Sequence, residues 1–416
     1  MPRATRSIVV LLLVALLSLA CSAAASAASG GGIAYTLNQT SSGLAALTNW
    51  VPDVGDQDGD MTGSRVWVGP LDLGSAQFAA GFLDGDSYAD AVVYTQRGRT
   101  GTLYAYLTSG GAYAPARQAG LPATGAAFVE LWQGPVSGTS ARIACGDVFR
   151  VDPAVGASST SSSRGDEVFL VLTDGLFTRV LVLGSSPDLG PAASGRRALS
   201  RLRFGVLAGA WSRSGLLCGA SQAAAGDVDG DGAEELVTLA GRLPEHARLE
   251  VWQFAGSAAG ARRSSVAGPE AWWSGRAPDD PRLAMGDVNQ PQFGAFCGDG
   301  LADALLLGGT QRAREQLVAF VSDGAAFSQV TPMWALSPTL GTVAGFGCGD
   351  VLQGLLAGWM NLGWAGVQVQ VRGGARVLFG TANFYWNDSA FIPEYRTGLI
   401  EGRRVRLAVA HNLDRY

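Results

Sequence analysis

Lysine is absent from the 416 residues and histidine occurs only at His246 and His411, so every permanent positive side chain is an arginine. A lysine base is thereby excluded, and a multi-histidine zinc centre or a Ser-His-Asp triad is all but excluded for want of parts. Charged residues are sparse, at 16% of the chain, and acids outnumber bases 35 to 30. That balance, −5 overall and −7 without Arg3 and Arg6, argues against nucleic acid as a partner. No stretch shows a sustained helical period, and only one apolar run is long, near the N-terminus. What the chain has instead is 58 glycines set between short runs of β-branched and aromatic residues, the pattern of many strands joined by tight turns.

The one long apolar run, Ile8 to Ala20, follows Arg3 and Arg6 and precedes the small residues Ser22 to Ala28. This layout predicts a secretory signal peptide over residues 1–27 and a mature, extracellular chain from residue 28. The run is too short to span a bilayer, so no transmembrane segment is expected in the mature chain. A lipoprotein anchor on Cys21 is the rival reading, although Ser18 stands where such signals usually carry Leu. Cys145, Cys218, Cys297 and Cys348 remain after cleavage, an even set that permits two disulfides or, equally, buried free thiols.

A repeat runs through the rest. A Trp stands 15 or 16 residues ahead of a Gly-Asp or its equivalent: Trp132 before Asp147, Trp211 before Asp227, Trp272 before Asp287, Trp334 before Asp350, and Trp67 before Phe82. The text around these points recurs, as "WVGP" at Trp67 and "WQGP" at Trp132, and as "CGDV", "AGDV", "MGDV" and "CGDV" ending at Val148, Val228, Val288 and Val351. Successive Gly-Asp positions lie about 60 to 80 residues apart, enough for a four-stranded propeller blade with its loops. The chain opens with a strand lacking the start of a unit, "GIAYTLN", and closes with one lacking the remainder, "VRLAVAHN". An all-β fold follows: a single β-propeller of six blades, with seven as the alternative, closed by N- and C-terminal strands that share one blade. Closure leaves few open sheet edges. The recurring Trp reads as blade-core packing; Trp359 and Trp364, outside the register, are the first candidates for sugar-stacking platforms.

The sharpest chemistry is "GDVDGDGAEE", Gly226 to Glu235. Asp227, Asp229 and Asp231 alternate, Gly230 and Gly232 permit a tight turn, and Glu235 completes the set at the ninth position. Calcium, a hard cation taking six to eight oxygens, suits several carboxylates with a backbone carbonyl, here that of Ala233. An EF-hand is excluded, because Thr238 holds the twelfth position and the flanks read as strands. This Asp-x-Asp-Gly-Asp-Gly-x-x-Glu loop, once per unit between two strands, resembles the calcium loop of FG-GAP and VCBS repeats, the integrin-α-like propeller family, over residues 28–416. The resemblance implies Ca2+ as a stabilising ion and ligand binding elsewhere on the propeller. Carried over residue by residue, it assigns Asp84, Asp86 and Asp90 to a weaker first loop, since Phe82 replaces the first acid. It assigns Asp287, Asn289, Asp299 and Asp303 to a loop interrupted by an insertion. Asp147 with Glu167 is incomplete, and no ion is expected at Asp350. The run Asp56, Asp58, Asp60 falls between a third and fourth strand and reads as a solvated loop; Arg164-Gly165-Asp166 reads as a chance tripeptide.

Function follows from these parts as an expectation. An export signal, a stiff repeat scaffold and no appended domain point to a secreted, non-catalytic calcium-binding recognition or adhesion module for an extracellular glycan or protein ligand. The alternative is a secreted carbohydrate-active enzyme, a lyase or glycosidase using a carboxylate pair on the propeller scaffold. The Arg-rich stretch between Ser185 and Ser214 reads as an interblade insertion, with a docking arm as the alternative. Asn38 and Asn387 head glycosylation triplets.

Overall fold

Period-two runs bounded by Gly, Asp and Ser pair with the next run along the chain, because a short turn makes the neighbouring segment the cheapest partner to reach. The structure is a computed structural model. It describes residues 34–52, 61–83, 89–108, 128–148, 165–174, 177–185, 203–213, 222–255, 265–288, 299–309, 316–330, 334–335, 342–349, 364–371, 374–385 and 388–410. Among these, every regular element is a strand.

The first blade takes β1 (Ala34–Gln39), β2 (Ala45–Pro52) and β3 (Met61–Gly69). The second is β4 (Gln77–Gly81), β5 (Asp90–Arg97), β6 (Thr100–Tyr106) and β7 (Val129–Pro135). The third is β8 (Ser140–Gly146), β9 (Glu167–Thr173), β10 (Phe177–Ser185) and β11 (Phe204–Arg213). The fourth is β12 (Gln222–Gly226), β13 (Glu235–Arg242), β14 (His246–Ala255) and β15 (Ser265–Gly275). In the fifth, β16 (Arg282–Gly286), β17 (Asp303–Gly308), β18 (Gln316–Ser322) and β19 (Phe327–Gln329) are joined by β20 (Trp334–Ala335), which pairs with β18. The sixth is β21 (Thr342–Gly349), β22 (Trp364–Val371), β23 (Gly374–Tyr385) and β24 (Asp388–Arg396). The last strand, β25 (Arg403–Val409), returns to pair with β1 and gives the first blade the order β25-β1-β2-β3. Six antiparallel sheets stand in a ring, and the shared blade made from both chain ends is where the sequence places it.

Each innermost strand, β25, β4, β8, β12, β16 and β21, lies against those of both neighbours. The recurring glycine explains how they come so close. A Cβ on Gly226 would lie 2.6 Å from the Ala302 Cβ and 3.2 Å from the Met285 Cβ of the next blade. Gly81 meets Cys145, Gly146 meets Ala225, Gly286 meets Cys348 and Gly349 meets Val409 and Ala410 in the same way. The "xGDV" text is thus a contact motif: the residue before each glycine fills the space that the previous blade's glycine leaves. Apolar cores sit between adjacent blades; one joins Tyr35, Leu37, Phe82 and Phe379 across the closure, and another joins Tyr94, Leu103, Leu170 and Leu183.

Two of the cysteines in that motif carry free thiols, Cys145 and Cys348, on opposite sides of the ring; Cys218 and Cys297 lie outside the described residues. Burial, with nearby carboxylates, pushes the Cys145 thiol well up, and burial pushes that of Cys348 up to about 12, so neither is a nucleophile.

The Trp register needs correction. Trp67, Trp132 and Trp273 are the equivalent residues, each opposite a leucine of the third strand and each with its ring over the glycine two positions on, Gly69, Gly134 and Gly275. Trp272 occupies the β-bulge one residue earlier. Trp132 and Trp272 are buried, as packing requires, but Trp211 is 69% exposed. Arg213 stands where the glycine seat would be, so no flat backbone receives that ring. Trp359 lies outside the described residues, and Trp364 begins β22. A second aromatic repeat was not apparent in the text: Trp50 donates to the Thr36 hydroxyl at 2.7 Å, and Trp252 to that of Thr238 at 3.0 Å, both from the third strand to the second. Tyr106 and Phe320 hold the same register in their blades.

Replacing Gly226 by Ala is expected to cost about 1–3 kcal/mol by overpacking the inner ring. Gly205→Ala, where a Cβ would meet nothing within 4 Å, should stay within about 0.5 kcal/mol of the parent in urea unfolding.

Candidate metal centre

In four of the six blades the turn from the innermost strand into the second is built on a carboxylate. In four consecutive blades the second strand begins with a buried acid, Asp90, Glu167, Glu235 or Asp303. Each accepts the amide hydrogen of the residue that closes "xGDV" or its equivalent: Leu83 to Asp90 at 2.9 Å, Val148 to Glu167 at 3.1 Å, Val228 to Glu235 at 3.0 Å and Val288 to Asp303 at 3.0 Å. Asp90 and Asp303 use their other oxygen on the amides of Thr108 and Ser322, both at the end of the third strand. The acid at the ninth position is therefore a structural clasp in every one of these blades, whatever else it holds.

The residue before each clasp works on the neighbouring blade. The amides of Asp166, Glu234 and Ala302 donate to the carbonyls of Phe82, Asp147 and Asp227, at 2.9, 2.8 and 2.7 Å. Two of the three answer with a side chain: the Asp166 carboxylate accepts from Phe82 N–H at 2.7 Å and that of Glu234 from Asp147 N–H at 3.0 Å. Sequence reasoning missed this latch, though the consecutive acids of "DE" and "EE" carry its signal. It also settles the Arg-Gly-Asp tripeptide. Gly165 packs on the Leu83 backbone and Asp166 is 5% exposed, so the motif's acid is consumed between blades.

Asp227, Asp229 and Glu235 converge, with ligand oxygens within 4.8 Å of one another, the one such group of three or more among the described residues. Local bonds shape the loop. Asp227 accepts from the amides of Gly230 at 2.7 Å and Gly232 at 2.9 Å, and both glycines sit at positive φ, 77° and 84°. Asp229 accepts from Asp231 N–H and is steadied from β14 by Gln253 at 3.0 Å. Asp231 is exposed, its Oδ1 taking the Ala233 amide at 2.8 Å, and it stands apart from the three convergent carboxylates. A donor set of oxygens alone, three of them anionic, fits a hard divalent cation such as calcium.

The second loop copies the first across its insertion. Gly300 N–H donates to Asp287 at 2.9 Å as Gly232 does to Asp227, and Leu301 N–H to Asp299 at 3.1 Å as Ala233 does to Asp231. Gly300 has φ 87°, matching Gly232. Asp287, Asp299 and Asp303 thus hold the first, fifth and ninth positions as the spacing predicts; Asn289 lies outside the described residues, as do Asp84, Asp86, Asp350 and the Asp56 to Asp60 run. Asp90, fully buried, is held by two amides as a clasp. His246 is exposed at the first position of β14, at the opposite end of the blade, and His411 is outside the described residues. Asn38 is buried and its amide donates to the Glu401 carbonyl at 2.9 Å, so that glycosylation triplet is occupied by the blade closure.

No family model matches the chain, and no curated protein matches it in sequence. Among solved structures it is similar to a mutant of the Aleuria aurantia lectin in complex with alpha-methyl-L-fucoside, at 12% identity and TM-score 0.42, over 87% of this chain and 95% of that one. It is also similar to a GH62 hydrolase in complex with xylotriose, at 10% identity and TM-score 0.32, over 82% and 93%. No helix among the described residues is long and apolar enough to cross a membrane.

Burial, reinforced by Asp229, Asp231 and Asp227, raises the Glu235 carboxyl from 4.5 to about 9 in the metal-free chain. Folded protein then holds a proton that unfolded protein gives up. The associated stability is fully present below about pH 4.5 and is lost as pH rises toward about 9. Thermal unfolding in chelator is expected to show this fall, and Glu235→Gln should flatten it; saturating calcium, which favours the ionised carboxylate, should oppose it.

Proposed function

We propose that the chain is an exported, calcium-stabilised propeller of the FG-GAP and VCBS kind, which presents a rigid face to an extracellular glycan or protein ligand and does not itself catalyse a reaction. The observation that carries the reading is the convergence of Asp227, Asp229 and Glu235 in a first-to-second-strand loop. The matching loop at Asp287, Asp299 and Asp303 supports it.

The ion's work is structural. Three carboxylates held close in a loop repel one another, and a divalent cation converts that repulsion into cross-links between the first strand, the loop and the second strand. Because the Asp227 carbonyl also takes the Ala302 amide, stiffening this loop stiffens the seam to the next blade. In the second to sixth blades the first-to-second and third-to-fourth connections leave from the end that carries the acidic loops, and they include the longest inter-strand segments, such as those from Tyr106 to Val129 and from Gly146 to Glu167, the kind of segment on which recognition residues are commonly placed. A stiff ring offers such residues at low ordering cost. A binding role also fits the inventory: lysine is absent and His246 lies exposed at the start of β14, at the far end from the acidic loops.

At calcium about a hundredfold above its Kd the folded state should gain about 2.7 kcal/mol, seen as a rise in Tm that chelator reverses. Asp229→Ala should remove most of that rise while leaving the ring folded. For the ligand, glycan and protein arrays probed with the calcium-loaded chain should give saturable binding without turnover. Reproducible cleavage of a polysaccharide, abolished by replacing one carboxylate outside the loops, would establish the enzymatic reading instead.

A further inference from the structure

The turn from the second to the third strand of the fourth blade, at the end away from the acidic loops, carries charge that neither the clasps nor the seams use. Arg242 closes β13 and stands opposite His246, the first residue of β14; Arg248 follows two places on and stands opposite Ser274 of β15. Side chains alternate along a strand and cross-strand partners share a face, so this register puts Arg242, His246, Arg248 and Ser274 on one face of the blade. Those four line a single cleft of about 440 Å³, together with Glu245 and Gly241.

Fixed parts hold the cleft in shape. Leu243 packs into the core shared with the fifth blade, and the Pro244 carbonyl accepts Ala277 N–H at 2.9 Å. Gly241 sits at φ 103°, and a Cβ there would strike the His246 carbonyl, so only glycine lets the pair close. The acids are already engaged: Glu245 pairs with Arg276 at 3.6 Å, and Glu250, next along the face, pairs with Arg248 at 2.9 Å. The donors are not. The side chains of Arg242 and His246 meet no partner among the described residues, and the Arg248 Nε has no acceptor. Three arginines thus face two glutamates before any charge on His246 is counted. Unspent donors select a ligand rich in acceptors, and a planar guanidinium beside an imidazole suits the oxygens of an anion. The volume lies within the span of small-molecule sites, roughly 300 to 1,000 Å³, and exceeds what a bare ion fills. Apart from the imidazole, the lining has no aromatic side chain and no aliphatic one larger than alanine, which suits a hydroxylated carrier rather than an apolar one.

We propose that this cleft is a binding site for an acidic sugar residue, in which Arg242 and His246 take the oxygens of a carboxylate or sulfate substituent and Arg248, steadied by Glu250, forms the adjoining wall. An acidic glycan is thereby named as a ligand for the recognition role proposed above, on which the inference rests for its biological meaning. The cleft itself needs no calcium, so it is separable from the loop centre at the other end of the blade.

Titration calorimetry on the purified full chain, at fixed ionic strength, compares a sulfated tetrasaccharide, a uronate tetrasaccharide, a neutral tetrasaccharide and sodium sulfate. Saturable binding of either acidic tetrasaccharide, tighter than that of the neutral one and of sulfate, supports the site. Arg242 is exposed, so Arg242→Gln should fold, and it should weaken that binding about tenfold or more, as the loss of a hydrogen bond to a charged group implies. Arg97→Gln, which removes the same charge from the exposed end of β5, should leave the affinity unchanged, as should Asp229→Ala. Calcium uptake by the Arg242→Gln chain should match the parent, so that failure here leaves the metal reading standing. The proposal is overturned if neither acidic tetrasaccharide exceeds the neutral one, if sulfate alone binds as tightly as they do, or if Arg242→Gln loses no more affinity than Arg97→Gln.

Discussion

Four of the six blades turn on a carboxylate buried at the start of the second strand and bonded to a backbone amide just past the innermost strand. An anion placed there is costly unless hydrogen-bonded, and the amide of Leu83, Val148, Val228 or Val288 satisfies it while forcing the chain to fold back on itself. The corner so made presents its first acid or its carbonyl sideways, and the next blade takes it: Glu234 N–H to Asp147, Ala302 N–H to Asp227. One residue type at one position thus governs the turn within a blade and indirectly the seam between blades. Glycine completes the device, because only a residue without a Cβ lets Cys145, Ala225, Met285 or Cys348 of the following blade approach that corner.

The acidic cluster proposed as a metal centre is an elaboration of this clasp. In the second and fifth blades the clasp is Asp, short and held by two amides, at Asp90 and Asp303. In the fourth blade it is Glu, one methylene longer. Glu235 keeps its bond to Val228 and still reaches the group formed with Asp227 and Asp229. The clasp bond itself needs no ion, which accounts for the survival of the corner at Asp90 and Glu167, where no convergent acidic group stands among the described residues.

The architecture was legible because its signals are covalently local. Gly-Asp corners recur at blade spacing, and two half-units at the termini imply closure; β25 beside β1 is the physical form of that bookkeeping. The acidic loop was legible for the same reason, even through the insertion that separates Asp287 from Asp299, since Gly300 restores the turn. What the text concealed depends on side-chain direction and on contacts between blades. Trp272 and Trp273 differ by one residue, and only a β-bulge decides which of them takes the repeat position. Glu234 reads as one more loop acid until its neighbour across the seam is known. Trp211 has the right spacing but lacks the glycine two residues on that would seat its ring.

Native mass spectrometry of the chain in volatile buffer with micromolar calcium most directly tests whether the clasp doubles as a cation ligand. The expected spectrum shows at least one tightly held calcium per chain, with one fewer on a folded Glu235→Ala copy. A spectrum of the bare chain alone, or an unchanged ion count in that copy, would contradict the reading of Asp227, Asp229 and Glu235 as a metal centre.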